Sequence, residues 1–346
     1  MRSRAKLTSI CTAMASYCLV GAASVLAQTV PCAPTASIIR ETEVTVHVST
    51  GDLHGTLSAP DGPGRVPLVV LLVGSGPVNR DGNAPSVRAT PNTFKILADS
   101  LGHRGIASLR YDRRGIGGSA AAQPKESDFR FPMLADDAAE WVRQMRSDPR
   151  FGSIVLAGHS EGSLTAILAS QRVQVDGLVS LAGPGRPHWM ILRDQLAPVL
   201  GPSAPALLMQ VDSILARLVR GDTTIVVAPE LLSLFRPDVQ PYLVSLYRYD
   251  PAAELAKSRI PILVLQGTSD LQVPNAEAEV LGTANARSRV THLVGMNHVL
   301  KLASGSLKEQ GPAYVDPNMP IPGTLIDAAA AFVCALPMKA SGRPDR

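Results

Sequence analysis

The chain has 346 residues, enough for one large domain or two modest ones. Its 45% hydrophobic content and mean hydropathy of +0.13 supply an ample globular core and exclude a disordered or low-complexity protein. The formal charge of +4 and the pI near 9.0 indicate a nucleic-acid partner only if the basic excess belongs to the folded part.

Most of the basic excess lies in the first residues. Arg2, Arg4 and Lys6 precede an apolar stretch that ends in small residues at Ala27, the pattern of a secretory signal peptide. Loss of these three cations lowers the formal charge from +4 to +1. We therefore predict a signal peptide over 1–27, export to the periplasm or the extracellular space, and a mature chain with no nucleic-acid partner and no stable membrane insertion. An N-terminal membrane anchor is the alternative, because the apolar stretch is long enough to span a bilayer.

Two cysteines remain after such cleavage, one near each end of the mature chain. They are Cys32 and Cys334. Because an exported protein meets an oxidising compartment, we expect a disulfide between them. Two unrelated buried thiols are the alternative.

Strands and helices alternate along the mature chain. Alternating apolar and polar residues predict an antiparallel hairpin over 41–50 and 52–60. Short continuous apolar runs, typical of strands buried on both faces, occupy 68–73, 106–111, 153–158, 177–183, 261–267 and 289–295. Helical spacing occupies 93–105, 133–148, 161–171, 275–284 and 324–336. This order predicts an α/β protein with a mostly parallel sheet covered on both faces.

The alternation is interrupted between about 185 and 250. Three pieces with helical spacing lie there, over 187–200, 205–221 and 229–250. The segment is either an ordinary helical excursion or a lid. Its position after a strand end, where α/β sheets bind ligands, favours a lid. With no linker in the sequence, we treat 28–346 as one domain with this insert.

The clearest sequence motif is G-H-S-E-G at 158–162, between an apolar run and a helix. Small residues two positions before and after Ser160 allow the sharp strand-to-helix turn that exposes a nucleophile. The pattern alone is weak, but this context strengthens it. We therefore expect Ser160 to be a nucleophilic serine.

A serine nucleophile needs a base, and the base needs an acid that holds its tautomer. Of seven histidines, His298 follows the last apolar run, whereas the other six have simpler interpretations as surface or core residues; these are His47, His54, His103, His159, His188 and His292. Asp270 follows the run that ends at 267, although it could instead cap the next helix. The order Ser160, Asp270, His298 is the one expected of this mechanism on an α/β sheet.

From about residue 43 onwards the chain resembles the α/β-hydrolase superfamily, and more closely its serine-aminopeptidase-like branch and related small secreted bacterial carboxylesterases. The motifs that carry the resemblance are GSGPVNRDG, RYDRRGIGGS, GHSEG, YDPAAELAKSRIPILVLQGTSDLQVP and GMNH. The resemblance implies an eight-stranded, mostly parallel sheet and a helical cap after the sixth strand. It also implies hydrolysis through an acyl-enzyme without a metal or an organic cofactor.

Two backbone amides are expected to bind the oxyanion of the tetrahedral intermediate. One is the amide of Glu161, directly after the nucleophile. The resemblance assigns the other to Ser75, with Gly76 as the neighbouring alternative. Many relatives have His-Gly where this chain has Val73 and Gly74, which we interpret as variation without loss of activity.

Two other patterns have weaker functional interpretations. Residues 115–120 fit the dinucleotide-binding pattern G-x-G-x-x-A. The residues that follow include a proline and lack the apolar stripe of the required helix. We therefore predict a loop over 113–119 that braces the site, and no bound dinucleotide. His292 and His298 lie without a carboxylate at metal-binding spacing, and we predict no metal site.

The sequence therefore predicts a serine esterase that acts on small-molecule esters. The alternatives are a serine aminopeptidase, another amide or thioester hydrolase, and, less favoured, an acyl transferase. An aminopeptidase requires an acidic cluster that binds a substrate ammonium. In the insert, however, the acids are interleaved with arginines along the sequence. The acids are Asp194, Asp212, Asp222 and Glu230, and the arginines are Arg186, Arg193, Arg217 and Arg220. A non-catalytic binding protein on the same scaffold is disfavoured because no triad member is missing.

Overall fold

The structure is a computed structural model that describes residue 32 and residues 37–201 and 203–338. The predicted signal peptide lies outside the described residues. None of the helices in the described part of the chain combines the length and the apolar composition needed to cross a membrane.

Eight strands form a single sheet. They are β1 (Ile39–Val48), β2 (Gly51–Pro60), β3 (Val66–Leu72), β4 (Ala107–Tyr111), β5 (Phe151–His159), β6 (Gly177–Leu181), β7 (Ile262–Gly267) and β8 (Ser288–Leu293). Their order across the sheet is β1-β2-β4-β3-β5-β6-β7-β8. The β1–β2 hairpin and the β2–β4 pair are antiparallel, and every other pair is parallel. The predicted mostly parallel sheet with its N-terminal hairpin is confirmed.

Eleven helices accompany the described strands. They are α1 (Thr93–Gly102), α2 (Pro132–Ser147), α3 (Glu161–Ser170), α4 (His188–Leu200), α5 (Pro205–Val219), α6 (Leu232–Phe235), α7 (Gln240–Tyr247), α8 (Pro251–Ala256), α9 (Asn275–Ala284), α10 (Gly311–Val315) and α11 (Gly323–Cys334). Helices α4 to α8 all lie between β6 and β7. The insertion is therefore helical, as its spacing predicts.

The apolar runs are explained by burial on both faces of the sheet. In β3, Val69 and Leu71 belong to the apolar core that α1 and α11 cover. The neighbouring Leu68 and Val70 belong to the opposite core, which contains α2 and α3. Because successive side chains of a strand point to opposite faces, a strand covered on both sides is apolar throughout.

The structure of the last helical piece of the insertion differs from the one that its sequence spacing predicts. Over 229–250 the chain forms two short 3-10 turns, α6 and α7, not one continuous helix. Pro237 opens the second turn, and Pro241 lies in the first turn of α7. A proline ring is compatible with the start of a helix but not with its interior, so these prolines divide the piece.

The expected disulfide joins Cys32 to Cys334, which terminates α11. The bond closes a loop across a sequence separation of 302 residues. A cross-link over so long a loop removes many conformations from the unfolded chain, so its entropic contribution is near the upper end of the usual range.

We predict that replacing both cysteines with serine lowers the free energy of unfolding by about 2–5 kcal/mol. Urea unfolding of the parent and of the Cys32→Ser/Cys334→Ser variant measures the difference. A reducing agent should lower the midpoint of the parent and leave the double variant unchanged. Coincident midpoints of the oxidised parent and the double variant would contradict the prediction.

Candidate active site

The residues selected from sequence all follow strands of the sheet's parallel part. Ser75 follows β3, Ser160 follows β5, Asp270 follows β7 and His298 follows β8. These four strands run in the same direction. Their carboxyl ends therefore lie along one edge of the sheet, where α/β proteins bind ligands.

Ser160 stands on a strained turn between β5 and α3. Its backbone has φ +54° and ψ −124°, a conformation that non-glycine residues rarely adopt. Its amide donates to the carbonyl of Leu181 at 2.9 Å, which ties the turn to the end of β6. A Cβ on Gly158 would overlap the backbone of Gly162, and a Cβ on Gly162 would meet the carbonyl oxygen of Leu72. Both glycines are therefore required for the close approach that exposes the serine.

Asp270 and His298 form a buried hydrogen-bonded pair. The Nδ1 atom of His298 lies 2.9 Å from Oδ2 of Asp270, and the two residues are only 6% and 8% exposed, respectively. The other carboxylate oxygen accepts from the amides of Gln272 at 2.8 Å and Val273 at 2.9 Å. Burial alone would raise the pKa of Asp270, but the charge and hydrogen bond of His298 and the two amides together lower it. The carboxylate therefore stays ionised beside the imidazole.

The alternative role for Asp270, a cap of the next helix, does not fit this geometry. Helix α9 begins only at Asn275, and the residue at its N-cap is Pro274. The carboxylate of Asp270 instead stabilises the turn that precedes the helix and bonds to His298.

His159, the last residue of β5, connects the turn at Ser160 to the loop that carries His298. Within the residues that the structure describes, no hydrogen bond joins Ser160 to the His298 imidazole. Hydrogen bonds between a nucleophile and its base are often long or poorly aligned before substrate binds. His159 Nε2 lies 2.7 Å from the carbonyl oxygen of His298, and the two rings are 4.8 Å apart. Burial lowers the pKa of His159 to about 3, helped by the nearby His298. His159 is therefore neutral at pH 7 and donates Nε2–H to that carbonyl.

Free backbone amides occur on both sides of Ser160. A Cβ on Gly74 would lie 3.0 Å from the Ser160 Cβ, so the loop after β3 passes directly beside the nucleophile. In the described part of the chain, the amides of Ser75, Gly76 and Glu161 have no acceptor. The Glu161 amide is also at the start of α3, where the helix dipole favours negative charge. These amides are available to an oxyanion.

A buried carboxylate lies next to the nucleophile and accepts hydrogen bonds from two other parts of the chain. Glu161 is 5% exposed, and its Oε1 accepts from Arg113 Nη1 at 3.2 Å and from the Tyr242 hydroxyl at 2.9 Å. Arg113 also donates to the carbonyl of Gly76. The loop after β4 and helix α7 thus meet at Glu161, and Arg113 extends this contact to the loop after β3. The predicted bracing loop does contact the site, whereas Tyr242 has no local sequence signal.

The polar residues after β3 hold that loop in place. Asp112 accepts from the backbone amide of Arg80 at 2.7 Å and from its Nε at 3.0 Å. Arg110 donates to Asp81 at 2.6 Å, and the side-chain oxygen of Asn79 accepts the Asp81 amide at 3.1 Å. These contacts fix the backbone that carries the free amides.

The dinucleotide-like pattern at 115–120 does not open an α-helix. Residues Gly117–Ala122 form a 3-10 segment, and the next α-helix is α2. A helix N-terminus directed at a pyrophosphate is therefore not formed here.

A cavity of about 680 Å³ lies where strands β3 and β5 begin, at the opposite ends from Ser160. Its lining includes Val66 and Phe151, where β3 and β5 begin, together with Cys334. Because parallel strands begin at the edge opposite to their carboxyl ends, this cavity is separate from the site described above.

Comparison with known proteins identifies relatives of the chain. A family model described as serine aminopeptidase, S33, matches residues 90–300, more than half of the chain. Esterase EstD of Thermotoga maritima is 29% identical over 266 residues, which cover 75% of this chain and 60% of that protein. The chain thus matches less than two thirds of the length of this curated relative.

Solved structures share the fold. Est1E from Butyrivibrio proteoclasticus superimposes with a TM-score of 0.52 at 15% identity, over 84% of this chain and 96% of that one. An esterase from Exiguobacterium antarcticum superimposes with a TM-score of 0.51 at 17% identity, over 84% of this chain and 99% of that one. At this identity the similarity concerns the fold alone. The chain has the α/β-hydrolase fold and belongs to the serine aminopeptidase S33 family.

Proposed function

We propose that the protein is a serine hydrolase that cleaves carboxylic esters through an acyl-enzyme, with Ser160, His298 and Asp270 as its catalytic triad. The observation that carries the proposal is the buried Asp270–His298 pair at the sheet edge where the strained turn exposes Ser160. A carboxylate bound to Nδ1 orients the ring and leaves Nε2 to accept a proton. The relative named as an esterase supports an ester substrate.

In the first half of the reaction, the Ser160 oxygen attacks the ester carbonyl while His298 Nε2 accepts the serine proton. The carbonyl oxygen becomes an oxyanion, which the amides of Glu161 and of Ser75, or of its neighbour Gly76, stabilise. The imidazolium of His298 then gives its proton to the departing alcohol, and the acyl group remains on the serine oxygen.

In the second half, His298 takes a proton from water, and the hydroxide attacks the acyl carbonyl through a second oxyanion. Collapse of this intermediate releases the carboxylic acid and returns the proton to Ser160. Throughout, Asp270 stays ionised and stabilises the positive charge that forms on the imidazole.

The insertion between β6 and β7 acts in this proposal as the cap over the substrate. Tyr242 of α7 bonds to Glu161, directly beside the nucleophile. Gln195 of α4 donates to the carbonyl of Gln272, two residues after Asp270. Both contacts hold insertion helices against the loops of the site. We further propose that the chain is exported after cleavage near Ala27, on the signal-peptide pattern.

We predict that Ser160→Ala lowers kcat/KM for p-nitrophenyl butyrate by about 10⁴-fold or more, because the nucleophile is lost. Release of nitrophenol by purified protein is the measurement, and circular dichroism verifies that the variant is folded.

The matched control is Ser170→Ala, at the other end of the same helix, which should keep the activity of the parent. Among the residues that the structure describes, its hydroxyl bonds only to the carbonyl of Ile167. Hydrolysis by folded Ser160→Ala within a few-fold of the parent would reject the proposed nucleophile.

Aminopeptidase activity is the second candidate, because the matching family is described as a serine aminopeptidase. Such an enzyme needs an unpaired carboxylate for the substrate ammonium. Three acids of the insertion are instead paired with arginines, within 3.1 Å in each case; the pairs are Asp194 with Arg186, Asp212 with Arg193 and Asp222 with Arg217. Glu161 is paired with Arg113. In the described part of the chain, Glu230 and Asp238 of the insertion form no ion pair, but neither is bonded to Ser160, Asp270 or His298. The paired charges favour an ester without a free amine.

We predict that the protein hydrolyses p-nitrophenyl 4-methylpentanoate. We also predict that it shows no preference for leucine p-nitroanilide over the p-nitroanilide of 4-methylpentanoic acid. The two anilides differ only in the amine, so their ratio of kcat/KM measures ammonium recognition and should be near one. A strong preference for the leucine anilide, with turnover comparable to that of the ester, would reverse the assignment in favour of an aminopeptidase.

A further inference from the structure

One arginine side chain contacts residues on both sides of the proposed oxyanion site. Arg113 donates from Nη2 to the carbonyl of Gly76 and from Nη1 to Oε1 of Glu161, the latter at 3.2 Å. In the described part of the chain, the backbone amides of both acceptor residues have no acceptor of their own. Gly76 also directly follows Ser75, so a bond to its carbonyl holds the loop that carries both candidate amides of that side. A single guanidinium therefore bridges the loop after β3 and the start of α3.

The backbone that carries Arg113 is itself fixed to the sheet. The carbonyl of Arg113 accepts the amide of Ile116 at 3.0 Å. The Ser119 hydroxyl donates to the carbonyl of Asp112 at 2.9 Å, and its oxygen accepts the amide of His54 in β2 at 2.9 Å. The Arg113 side chain is only 14% exposed. Its guanidinium is therefore held by the protein on both its own loop and its acceptors.

The loop that Arg113 holds has conformational freedom of its own at Gly76. This glycine has φ +84°, in the region that favours glycine, and a Cβ built on it would meet nothing within 4 Å. Close packing around its Cα therefore does not impose its conformation. Because a glycine backbone has more freedom than any other, a bond to its carbonyl restricts the loop effectively. Asp112 bonds to the same loop further along, at Arg80, and Arg113 adds an attachment near its start.

A simpler role for Arg113 is to balance the charge of Glu161. A buried carboxylate without a counter-charge is unfavourable, and Glu161 is 5% exposed. Charge balance alone, however, does not require the second bond, because the carbonyl of Gly76 has no net charge. The planar fork of an arginine is suited to holding two acceptors at a fixed separation. The contacts thus favour a positioning role in addition to charge balance.

We propose that Arg113 is a positioning residue for ester hydrolysis: by bonding to Gly76 and Glu161 at once, its guanidinium sets the spacing of the two amides that bind the oxyanion. The inference rests on the proposed ester hydrolysis and adds a residue that acts through these two. The amides bind most strongly when negative charge develops on the carbonyl oxygen. Loss of the bridge should therefore weaken binding of the tetrahedral intermediate more than binding of the intact ester.

Two ketone inhibitors measure this difference in the variant Arg113→Met. Pentyl trifluoromethyl ketone accepts the serine oxygen at its carbonyl carbon and forms a tetrahedral adduct with a negatively charged oxygen, whereas pentyl methyl ketone binds as the intact ketone. We expect kcat/KM for p-nitrophenyl butyrate to fall by about 10-fold to 100-fold. The inhibition constant of the trifluoromethyl ketone should rise by a similar factor, and that of the methyl ketone should change by less than about 3-fold. A purely structural defect would weaken the binding of both ketones.

A double variant separates positioning from charge balance. Arg113→Met/Glu161→Gln removes both charges, so it leaves no unpaired carboxylate, and the glutamine oxygen still accepts from Tyr242. Its reference is Glu161→Gln alone, in which Arg113 still has two acceptors. We expect kcat/KM of the double variant to be about 10-fold or more below this reference. Because the double variant holds no uncompensated charge, this comparison remains available if Arg113→Met alone does not fold.

Arg172→Met is the matched control. Arg172 donates to the same kinds of group as Arg113, here the carbonyl of Pro132 at 2.6 Å and the carboxylate of Asp136 at 2.9 Å. The control should keep the kcat/KM and both inhibition constants of the parent.

Three results would overturn the positioning role. They are an Arg113→Met variant with the kcat/KM of the parent, an equal change in the inhibition constants of the two ketones, and a double variant within about 10-fold of Glu161→Gln. Failure of the proposed ester hydrolysis has a different signature, because the parent itself would then not hydrolyse p-nitrophenyl butyrate.

Discussion

The parallel pairing of β5 between β3 and β6 is the constraint on which the site depends. It places the turn after β5 beside the end of β3, so closely that a side chain on Gly162 would meet the carbonyl oxygens of Leu72 and Val73, while a side chain on Gly158 would overlap the backbone of the turn itself. Ser160 stands on this turn in its strained backbone conformation, with its amide bonded to the carbonyl of Leu181 at the end of β6. Because β7 and β8 continue this parallel set, the loops of Asp270 and His298 emerge at the same edge. The sheet thereby brings together residues that are distant in sequence.

Charge balance is the second feature of the site. Glu161 would be an unfavourable neighbour for an oxyanion if its charge were free. The Arg113 guanidinium balances its charge, and the hydrogen bonds from Arg113 and Tyr242 orient it. The same contacts link the nucleophile turn to the loop after β4 and to α7, so the carboxylate contributes to positioning the insertion. This charge balance supports the proposed preference for an uncharged ester over a charged peptide terminus.

Sequence predicted the sheet well because its signals are local. Continuous apolar runs mark strands buried on both faces, and the helix predicted over 275–284 has those bounds in α9. The insertion was harder, because tertiary packing and prolines, not spacing, decide where α6 and α7 end. The contact of Tyr242 with Glu161 spans 81 residues of sequence and has no local pattern.

The proposed mechanism requires Ser160 to be a uniquely activated nucleophile, and a fluorophosphonate probe tests this requirement directly. Its phosphorus reacts with an activated serine, releases fluoride and leaves a stable adduct that resembles the tetrahedral intermediate. Mass spectrometry of the digested protein should locate one adduct per chain on Ser160, in parallel with complete loss of ester hydrolysis. An unlabelled protein, or an adduct on another serine that accompanies the loss of activity, would contradict the assignment.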